Sequence, residues 1–230
     1  MFAYIPARSG SKRIIGKNKR DFEGRPIISW VIEKIIKSRL ASDIFVSTND
    51  DEIADISINY GAKIVKMRDE HLCQDETTFG DLLIYDLPYY CQLTGNSNCL
   101  FMLPTAPLVR TKTLQEANSQ FLNSEAEILM STKPIYAYWA LEKKGKYLNS
   151  IFPKYAMLNS QELPETFLDA GLFYFLDVNK VKKYGDFNLA NKILGFPVSD
   201  DDGFDINTID EWHDLELKFK NRSHRSCENR

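Results

Sequence analysis

Short apolar runs alternate with amphipathic segments along most of this chain. The apolar runs predict strands at residues 2–5, 43–49, 62–66, 98–103, 127–132, 171–176 and 192–198. The amphipathic segments predict helices at residues 26–39, 50–61, 79–93, 111–124, 178–185 and 207–220. Strands that alternate with helices are typical of βαβ units, which build a parallel sheet with right-handed crossovers. The pattern therefore predicts a doubly wound α/β fold around a mostly parallel sheet.

Local signals mark several helix ends. Pro26 fits the first turn of the first predicted helix, and Gly61 fits the end of the second. Thr208 and Glu211 have the spacing of a capping box, which predicts that the last helix begins at this point. Pro88 lies inside the third predicted helix and predicts a kink or a break there.

The alternation stops between residues 133 and 170, where the sequence is aromatic and rich in turn residues. We predict a β-rich excursion inserted into a single domain of residues 1–220, followed by a disordered tail at 221–230. The large aromatic residues of the excursion are Tyr136, Tyr138, Trp139, Tyr147, Phe152 and Tyr155. They fit either a second small core or a dimer interface, where such residues are enriched, and we favour the interface.

Composition narrows the class of protein. The chain has 230 residues, of which 43% are hydrophobic and 27% charged, so it can bury a real core and does not read as disordered. We expect no secretory leader, because the sequence shows no initial basic segment followed by an apolar one and its first strand is too short. We also expect no membrane span, because no apolar run approaches the roughly 20 residues that a membrane helix needs.

The cysteines and histidines indicate neither a disulfide framework nor a zinc site. The cysteines show no CxxC pairing, and the three histidines lie far apart in the sequence. The four cysteines are Cys73, Cys91, Cys99 and Cys227. This usage favours a reducing compartment, so we expect a cytoplasmic protein.

The densest positive charge follows the first predicted strand. The segment YIPARSGSKRIIGKN, residues 4–18, contains Arg8, Lys12, Arg13 and Lys17 and no acid. Small residues between them let backbone N–H groups approach an anion, and arginine can grip phosphate oxygens with two hydrogen bonds. The loop is also predicted at the carboxyl end of a strand, where open sheets bind ligands. These residues alone leave two interpretations open, a polyphosphate site and a solvated cluster of surface charges.

The loop matches neither of two well-known phosphate-binding motifs. It lacks the GxxxxGK[ST] order of a P-loop and the GxGxxG order of a dinucleotide site. Nucleic acid is a weaker interpretation and we expect no such partner, because the positive charge is confined to one loop of a chain whose net charge is −3.

The stretch IPARSGSKRIIGKN closely resembles the opening signature of the nucleotidyltransferases that activate nonulosonic, sialic-type acids with CTP. The resemblance continues through IFVSTNDDEIA, LPTAPLVR, SQELPETFLDAGLFYF and FDINTIDEW. It implies membership of the acylneuraminate cytidylyltransferase family, with a Rossmann-like nucleotidyltransferase fold. The Asp-Ala-Gly that begins at Asp169 is similar to the pseudaminic acid branch, whereas sialic acid enzymes typically have Asn-Gly before this strand.

The resemblance implies roles for the opening loop. Arg8, Ser11 and Lys12 would hold the triphosphate of CTP, and Lys17 would neutralise charge at the reacting α-phosphate. Lys17 and Arg8 would thereby be the catalytic residues. Asn18 would sit beside the nucleotide.

The resemblance also implies contacts farther along the chain. Arg68 would lie near the cytosine, and the less favoured alternative is a surface charge. Thr77 and Thr78 would lie on the loop that follows, and capping of the next helix explains them equally well. Gln161 and Asp169 would bind the sugar acid.

The family ends with an Asp-x-Asp that holds magnesium, and this chain departs from that pattern. It has Asp205 and Asn207, so the second ligand would bring an oxygen but no charge. Asn207 could equally cap the last helix. The acids at 200–202 could supply the missing charge, or they could form a solvated turn. Two further departures are Leu103, where some relatives have glutamine, and Ile15, where proline is usual.

The resemblance implies a homodimer in which the excursion reaches across the partner's active site. The implied reaction joins CTP and a nonulosonic acid into a CMP-sugar and releases pyrophosphate, with Mg²⁺ as the cofactor. The alternatives are the same chemistry on N-acetylneuraminic, legionaminic or a shorter keto-deoxy acid, a catalytically silent nucleotide-binding relative, and a GT-A-type glycosyltransferase. The opening loop argues against the last of these.

Overall fold

The computed structural model describes residues 1–135 and 137–228. Its strands are Phe2–Pro6 (β1), Asp21–Phe22 (β2), Arg25–Pro26 (β3), Ile44–Ser47 (β4), Asn98–Met102 (β5), Ile128–Pro134 (β6), Leu141–Lys144 (β7), Tyr147–Ser150 (β8), Phe167–Asp177 (β9) and Ile193–Pro197 (β10). Its α-helices are Ile27–Ser38 (α1), Asp51–Asn59 (α2), Phe79–Asp81 (α3), Leu87–Thr94 (α4), Thr111–Leu122 (α5), Val178–Val181 (α6) and Ile209–Glu228 (α7). Short 3-10 turns lie at Glu70–Leu72, Pro153–Tyr155, Ser160–Glu162, Lys182–Tyr184, Phe187–Leu189 and Asp200–Asp202.

Six strands form the central sheet in the order β10-β6-β9-β5-β1-β4. β1 pairs in parallel with β4 and β5, and β10 pairs in parallel with β6. β9 runs antiparallel between β5 and β6. The predicted α/β fold with a mostly parallel sheet is confirmed, with one reversed strand. Because β4 and β5 lie on opposite sides of β1, the carboxyl end of β1 is a topological switch point, where such sheets bind ligands.

Helices cover both faces of the sheet. One apolar cluster packs α1, α2 and α5 against the sheet through residues such as Val31, Ile53 and Leu114. A second cluster packs α4 and α6 against the opposite face through residues such as Tyr90 and Val181. Strands buried on both faces explain the continuous apolar runs of the sequence.

The predicted helix around Pro88 continues through the proline. A π-helical turn, Leu82–Asp86, joins α3 to α4 and immediately precedes α4. Proline cannot donate the usual helical hydrogen bond, and its ring crowds the carbonyl four residues earlier. The wider π turn accommodates that crowding without ending the helix.

Two segments differ from the sequence-based expectation. The predicted strand at 62–66 is reduced to a single bridge between Phe45 and Lys63. The last helix runs on to Glu228, so residues 221–228, which we predicted to be disordered, are helical. Residues 229 and 230 lie outside the described chain, as does Tyr136 of the excursion.

The excursion contains the antiparallel hairpin of β7 and β8 and two 3-10 turns. A third apolar cluster lies elsewhere and packs α7 against the opening loop, with Trp212 of α7 next to Ile14 and Ile206. This cluster anchors the opening loop beside the segment that enters α7. None of the helices within residues 1–135 and 137–228 combines the length and the hydropathy of a membrane-spanning segment.

Candidate active site

A cleft of about 700 Å³ opens beyond the carboxyl end of β1, at the switch point of the sheet. The opening loop forms one wall through residues that include Arg8, Lys12 and Lys17. Other walls come from the 68–82 region, the turn after β5, the start of β9 and the segment before α7. Most of the segments that the sequence predicted to be functional therefore line this cleft.

The basic residues of the opening loop meet a carboxylate from another loop. Both terminal nitrogens of Arg8 donate to Asp75 Oδ1 at 3.1 Å, and Nη1 also donates to the carbonyl of Cys73 at 3.1 Å. Lys12 forms an ion pair with the same carboxylate. Hydrogen bonds from Lys12 and Arg8 lower the pKa of Asp75. The predicted triphosphate site thus contains one internal anion, and Ser11 lines the cleft beside it.

Lys17 bridges the opening loop to the segment before α7. Its Nζ donates to the carbonyl of Ile206 at 2.8 Å. Burial lowers the pKa of Lys17, and the charge of Asp205 opposes that effect. Asn18 is buried and donates Nδ2 to the carbonyl of Arg8 at 2.9 Å, so it braces the loop as well as lining the cleft.

Arg68 is no ordinary surface charge, because it is only 5% exposed. Its Nε donates to Ser47 Oγ at 2.8 Å, and its Nη2 donates to the carbonyl of Ser47 at 2.6 Å. Ser47 is the last residue of β4, so the central sheet itself positions this guanidinium at the cleft.

The two threonines have different surroundings. Thr77 lines the cleft, and its hydroxyl donates to the carbonyl of His71 at 3.4 Å. Thr78 caps α3 in a capping box with Asp81, and it is not among the residues that line the cleft. For Thr78 the structure favours the helix-capping interpretation.

Of the two predicted sugar contacts, one lines the cleft. Asp169 accepts hydrogen bonds from the hydroxyl of Tyr174 at 2.6 Å and from the backbone N–H of Gly171 at 2.9 Å. Burial raises the pKa of Asp169. Gln161 lies in the exposed turn Ser160–Glu162 of the excursion, outside the cleft of its own chain.

Asp205 and Asn207 both line the cleft beside Lys17. Asn207 donates Nδ2 to Asp205 Oδ2 at 2.9 Å, and the helix cap is supplied by Thr208, whose hydroxyl accepts from the backbone N–H of Glu211. The predicted capping box of α7 is thus confirmed, and the side chain of Asn207 is bonded to Asp205 instead of capping the helix.

These donors suit a hard cation only in part. Within the described residues, no group of three or more His, Cys, Asp or Glu side chains could hold a metal by itself. Magnesium commonly takes one or two carboxylates and fills its remaining positions with water and substrate phosphates. Asp205 and Asn207 therefore fit Mg²⁺ as a site that a bound triphosphate would complete.

Two of the acids at 200–202 are paired with cations outside the cleft. Arg110 grips Asp202 with two hydrogen bonds of 2.9 Å, and Lys133 pairs with Asp200 at 2.9 Å. Neither carboxylate lines the cleft, so the structure gives no support to this cluster as the missing metal ligand.

Sequence reasoning missed two acids. Asp75 lies in a loop without periodicity, where no signal marked it. Asp86 is fully buried in the stretch LLIYDL, and Ser47 links it to Arg68 by hydrogen bonds. A lone acid within an apolar helix face could have been noticed.

Several known proteins are similar to this chain in sequence. A family model described as Cytidylyltransferase matches residues 2–150. Pseudaminic acid cytidylyltransferase of Campylobacter jejuni serotype O:2 is 34% identical over 179 residues, which cover 74% of this chain and 75% of that protein. CMP-N,N'-diacetyllegionaminic acid synthase of Legionella pneumophila is 35% identical over 118 residues, 51% of each chain.

A solved structure shares the fold. It is that of CMP:2-keto-3-deoxy-manno-octonic acid synthetase complexed with CTP, which superposes with a TM-score of 0.71 over 96% of this chain and 98% of that chain. The sequence identity is 14%, so this likeness concerns the fold alone.

Proposed function

Because this chain belongs to the cytidylyltransferase family, we propose that it activates a nonulosonic acid with CTP, and that the acid is pseudaminic acid. One observation carries the proposal. Arg8, Lys12, Lys17 and Arg68 converge on a single cleft at the switch point of the sheet, opposite the carboxylate of Asp169. The 34% identity to a pseudaminic acid cytidylyltransferase over three quarters of both chains supports the choice of substrate.

The proposed reaction is a displacement at phosphorus. The anomeric hydroxyl oxygen of the sugar acid bonds to the α-phosphorus of CTP, the bond to the bridging oxygen breaks, and pyrophosphate leaves with that electron pair. The hydroxyl proton is released as the new bond forms. Positioning and charge neutralisation supply most of the catalysis in such transfers.

The basic residues divide this work. Arg8 and Lys12 would hold the β- and γ-phosphates once these replace the carboxylate of Asp75. Lys17, held by the carbonyl of Ile206, would stabilise the charge that grows at the α-phosphate. Arg68 would contact the cytosine from the floor of the cleft.

Magnesium belongs to the proposal as a cofactor. Asp205 and Asn207 would hold it, and the bound ion would neutralise charge on the phosphates. The Lys17 side chain lies beside Asp205, so Lys17 and the bound ion would both act on the α-phosphate.

A homodimer is also proposed. The excursion exposes large apolar side chains, among them Leu141, Tyr147, Leu148, Met157, Phe167 and Leu168. A surface of this kind indicates a protein interface. A partner's excursion, with Gln161, would then close the cleft. We also propose a cytoplasmic location, which the free Cys73, Cys91 and Cys99 support.

The test is pyrophosphate release from CTP with a panel of acids: pseudaminic, legionaminic, N-acetylneuraminic and 3-deoxy-manno-octulosonic acid. We expect release to be fastest with pseudaminic acid, and a CMP-sugar to be found by mass spectrometry. Faster release with another acid would reassign the substrate. No release with any acid would indicate a silent nucleotide-binding protein.

A further inference from the structure

A buried polar cluster lies directly beneath the cleft, on the face of the sheet that α4 covers. Its members are Tyr4, Ser47, Lys66, Arg68 and Asp86. Tyr4, Ser47 and Asp86 are fully buried, and among the five Arg68 alone lines the cleft. A buried carboxylate is costly unless it is paired, so a cluster of this kind calls for an explanation.

In this cluster Arg68 donates to Ser47, and Ser47 and Tyr4 both donate to Asp86. Asp86 Oδ2 accepts from the hydroxyl of Tyr4 at 2.5 Å and from the hydroxyl of Ser47 at 2.6 Å. A serine hydroxyl has one hydrogen, so its donation to Asp86 leaves only oxygen lone pairs for other partners. Those lone pairs receive Nε of Arg68 at 2.8 Å. Asp86 therefore sets the orientation in which Ser47 can accept from Arg68.

Charge also stabilises Asp86 in this cluster. Lys66 Nζ lies 3.2 Å from Asp86 Oδ1, so the buried carboxylate has a cation beside it as well as two hydroxyl donors. Within the described residues, Arg68 uses Nε and Nη2 on Ser47, and its Nη1 has no protein acceptor. The guanidinium is held on one edge, and its other edge is left for a ligand in the cleft.

The π-helical turn places the acid. Asp86 is the last residue of that turn, and it shares the buried face of the helix with Leu83 and Tyr90. Turns of this kind recur at functional sites. An apolar residue would fill the position without a buried charge, so helix packing alone does not account for an acid there.

We infer that Asp86 and Ser47 are positioning residues, which hold the guanidinium of Arg68 in the orientation that binds the nucleotide. The inference rests on the proposed function, because it takes the cytosine nucleotide as the ligand of Arg68. Asp86 acts through Ser47 and does not touch the ligand.

The test compares two buried hydroxyls that donate to the same oxygen of Asp86. We call the two hydrogen bonds from Arg68 to Ser47 and from Ser47 to Asp86 the relay. Ser47→Ala removes the relay, whereas Tyr4→Phe removes a hydrogen bond of similar length that does not involve Arg68. Arg68→Ala is the benchmark, and Asp86→Leu is a second variant, which keeps the approximate shape of the side chain and removes both acceptor oxygens. The readouts are the Kd of CTP by calorimetry, KM and kcat for CTP, and the melting temperature.

We expect Ser47→Ala and Asp86→Leu to raise the Kd and KM of CTP about tenfold, the effect of losing one well-placed hydrogen bond. Their kcat at saturating CTP should stay within about twofold of the wild type, since the phosphate contacts remain. Tyr4→Phe should lower the melting temperature as much as Ser47→Ala does and leave the Kd within about twofold. A merely structural cluster would give all three variants the same binding profile.

The outcomes separate the two ideas. If Arg68→Ala weakens CTP binding and Ser47→Ala does not, the relay is wrong and the proposed function stands. If Arg68→Ala has no effect on CTP, Arg68 has no ligand to be positioned for, and the inference is wrong. If the wild type binds CTP with the expected variant pattern but releases no pyrophosphate, the relay stands and the proposed reaction is wrong.

Discussion

At the scale of single residues, hydrogen bonds hold three cationic side chains of the cleft in fixed orientations. Lys17 is tied to the carbonyl of Ile206, Arg68 to Ser47, and Arg8 to Asp75. Groups that are already oriented need little rearrangement when charge develops on a substrate, and this makes them effective in catalysis. Each of these contacts therefore predicts a kinetic consequence.

Lys17→Ala should lower kcat by about 100-fold or more, the usual loss for one preorganised charge-stabilising group. The KM for CTP should change less, because Arg8 and Lys12 still hold the distal phosphates. Lys19→Ala is the matched control, since Lys19 is in the same loop but pairs with Asp50 at 2.8 Å. Steady-state kinetics check this prediction, and near wild-type kcat in Lys17→Ala would contradict the assignment.

Asn207→Asp should shift half-activation to lower magnesium concentration. In the structure Asn207 donates to Asp205 at 2.9 Å, and two carboxylates at that distance repel unless a cation lies between them. Asp205→Asn should damage activity more than Asn207→Ala does, because Asp205 carries the pair's formal charge. Magnesium titrations of activity and of melting temperature provide the measurement. An unmoved midpoint would confine Asn207 to holding Asp205.

At the scale of elements, close approaches between backbones fix how the helices sit on the sheet. Among the glycines of the described residues, Gly80 of α3 lies closest to a neighbouring backbone. A Cβ on Gly80 would lie 2.0 Å from the carbonyl oxygen of Gly185, in the turn that follows α6. Backbone atoms on both sides leave little room for adjustment, so this contact holds α3 and α6 together.

Gly80→Ala should therefore destabilise the protein by about 2 kcal/mol, within the usual cost of overpacking. Gly195→Ala is the matched control, since its Cβ would meet Thr132 at an ordinary 3.4 Å. That variant should change stability by less than about 0.5 kcal/mol. Denaturant unfolding compares the two. Equal effects would show that the Gly80 contact relaxes without cost.

An ion pair between the half-exposed Arg110 and the buried Asp202 joins the start of α5 to the chain after β10. Burial by itself would raise the pKa of Asp202, but hydrogen bonds from Arg110 and Ser199 outweigh it and lower the pKa. A carboxyl with a lowered pKa in the folded state stabilises the fold above its unfolded pKa. That contribution disappears as the pH falls through the folded pKa.

Asp202→Asn should thus cost about 2 kcal/mol at neutral pH, with the difference from the wild type shrinking below about pH 4. Asp201→Asn, at the exposed neighbouring position, is the control and should change little. Urea unfolding between pH 3 and 7 gives the comparison. A difference that is independent of pH would mean that the charge of Asp202 contributes nothing.

At the scale of the whole molecule, the exposed apolar side chains of the excursion are the basis for the proposed dimer. Met157 is 92% exposed, and Leu148 in the hairpin is also exposed. Met157→Glu combined with Leu148→Glu should shift a dimer toward monomers, because a charge buried at an interface is strongly unfavourable. Ile58→Glu on α2 is the control at an equally apolar exposed site. Light scattering decides, and a wild type that is monomeric at all concentrations would contradict the proposed dimer.

The sequence by itself predicted most of the secondary structure and the position of the cleft. Apolar runs and amphipathic segments have a period that depends only on neighbouring positions, so they identified the strands and helices of the α/β fold. The capping box of Thr208 and Glu211 is equally local, and so is the basic loop with Lys17. The doubly buried sheet and the place of its cleft followed from that alternation, because parallel strands put their carboxyl ends at one edge.

Tertiary structure decided what those side chains face. Asp75 and Arg8 are 67 positions apart, and Ser47 and Asp86 are 39 apart, so no local pattern could pair them. The reversal of β9 arises from long-range pairing with β5 and β6, which carries no signature within the strand itself. Hydrogen bonds and ion pairs depend on distances of a few ångströms in space. The sequence supplies the groups, and the packing of the sheet and its helices selects their partners.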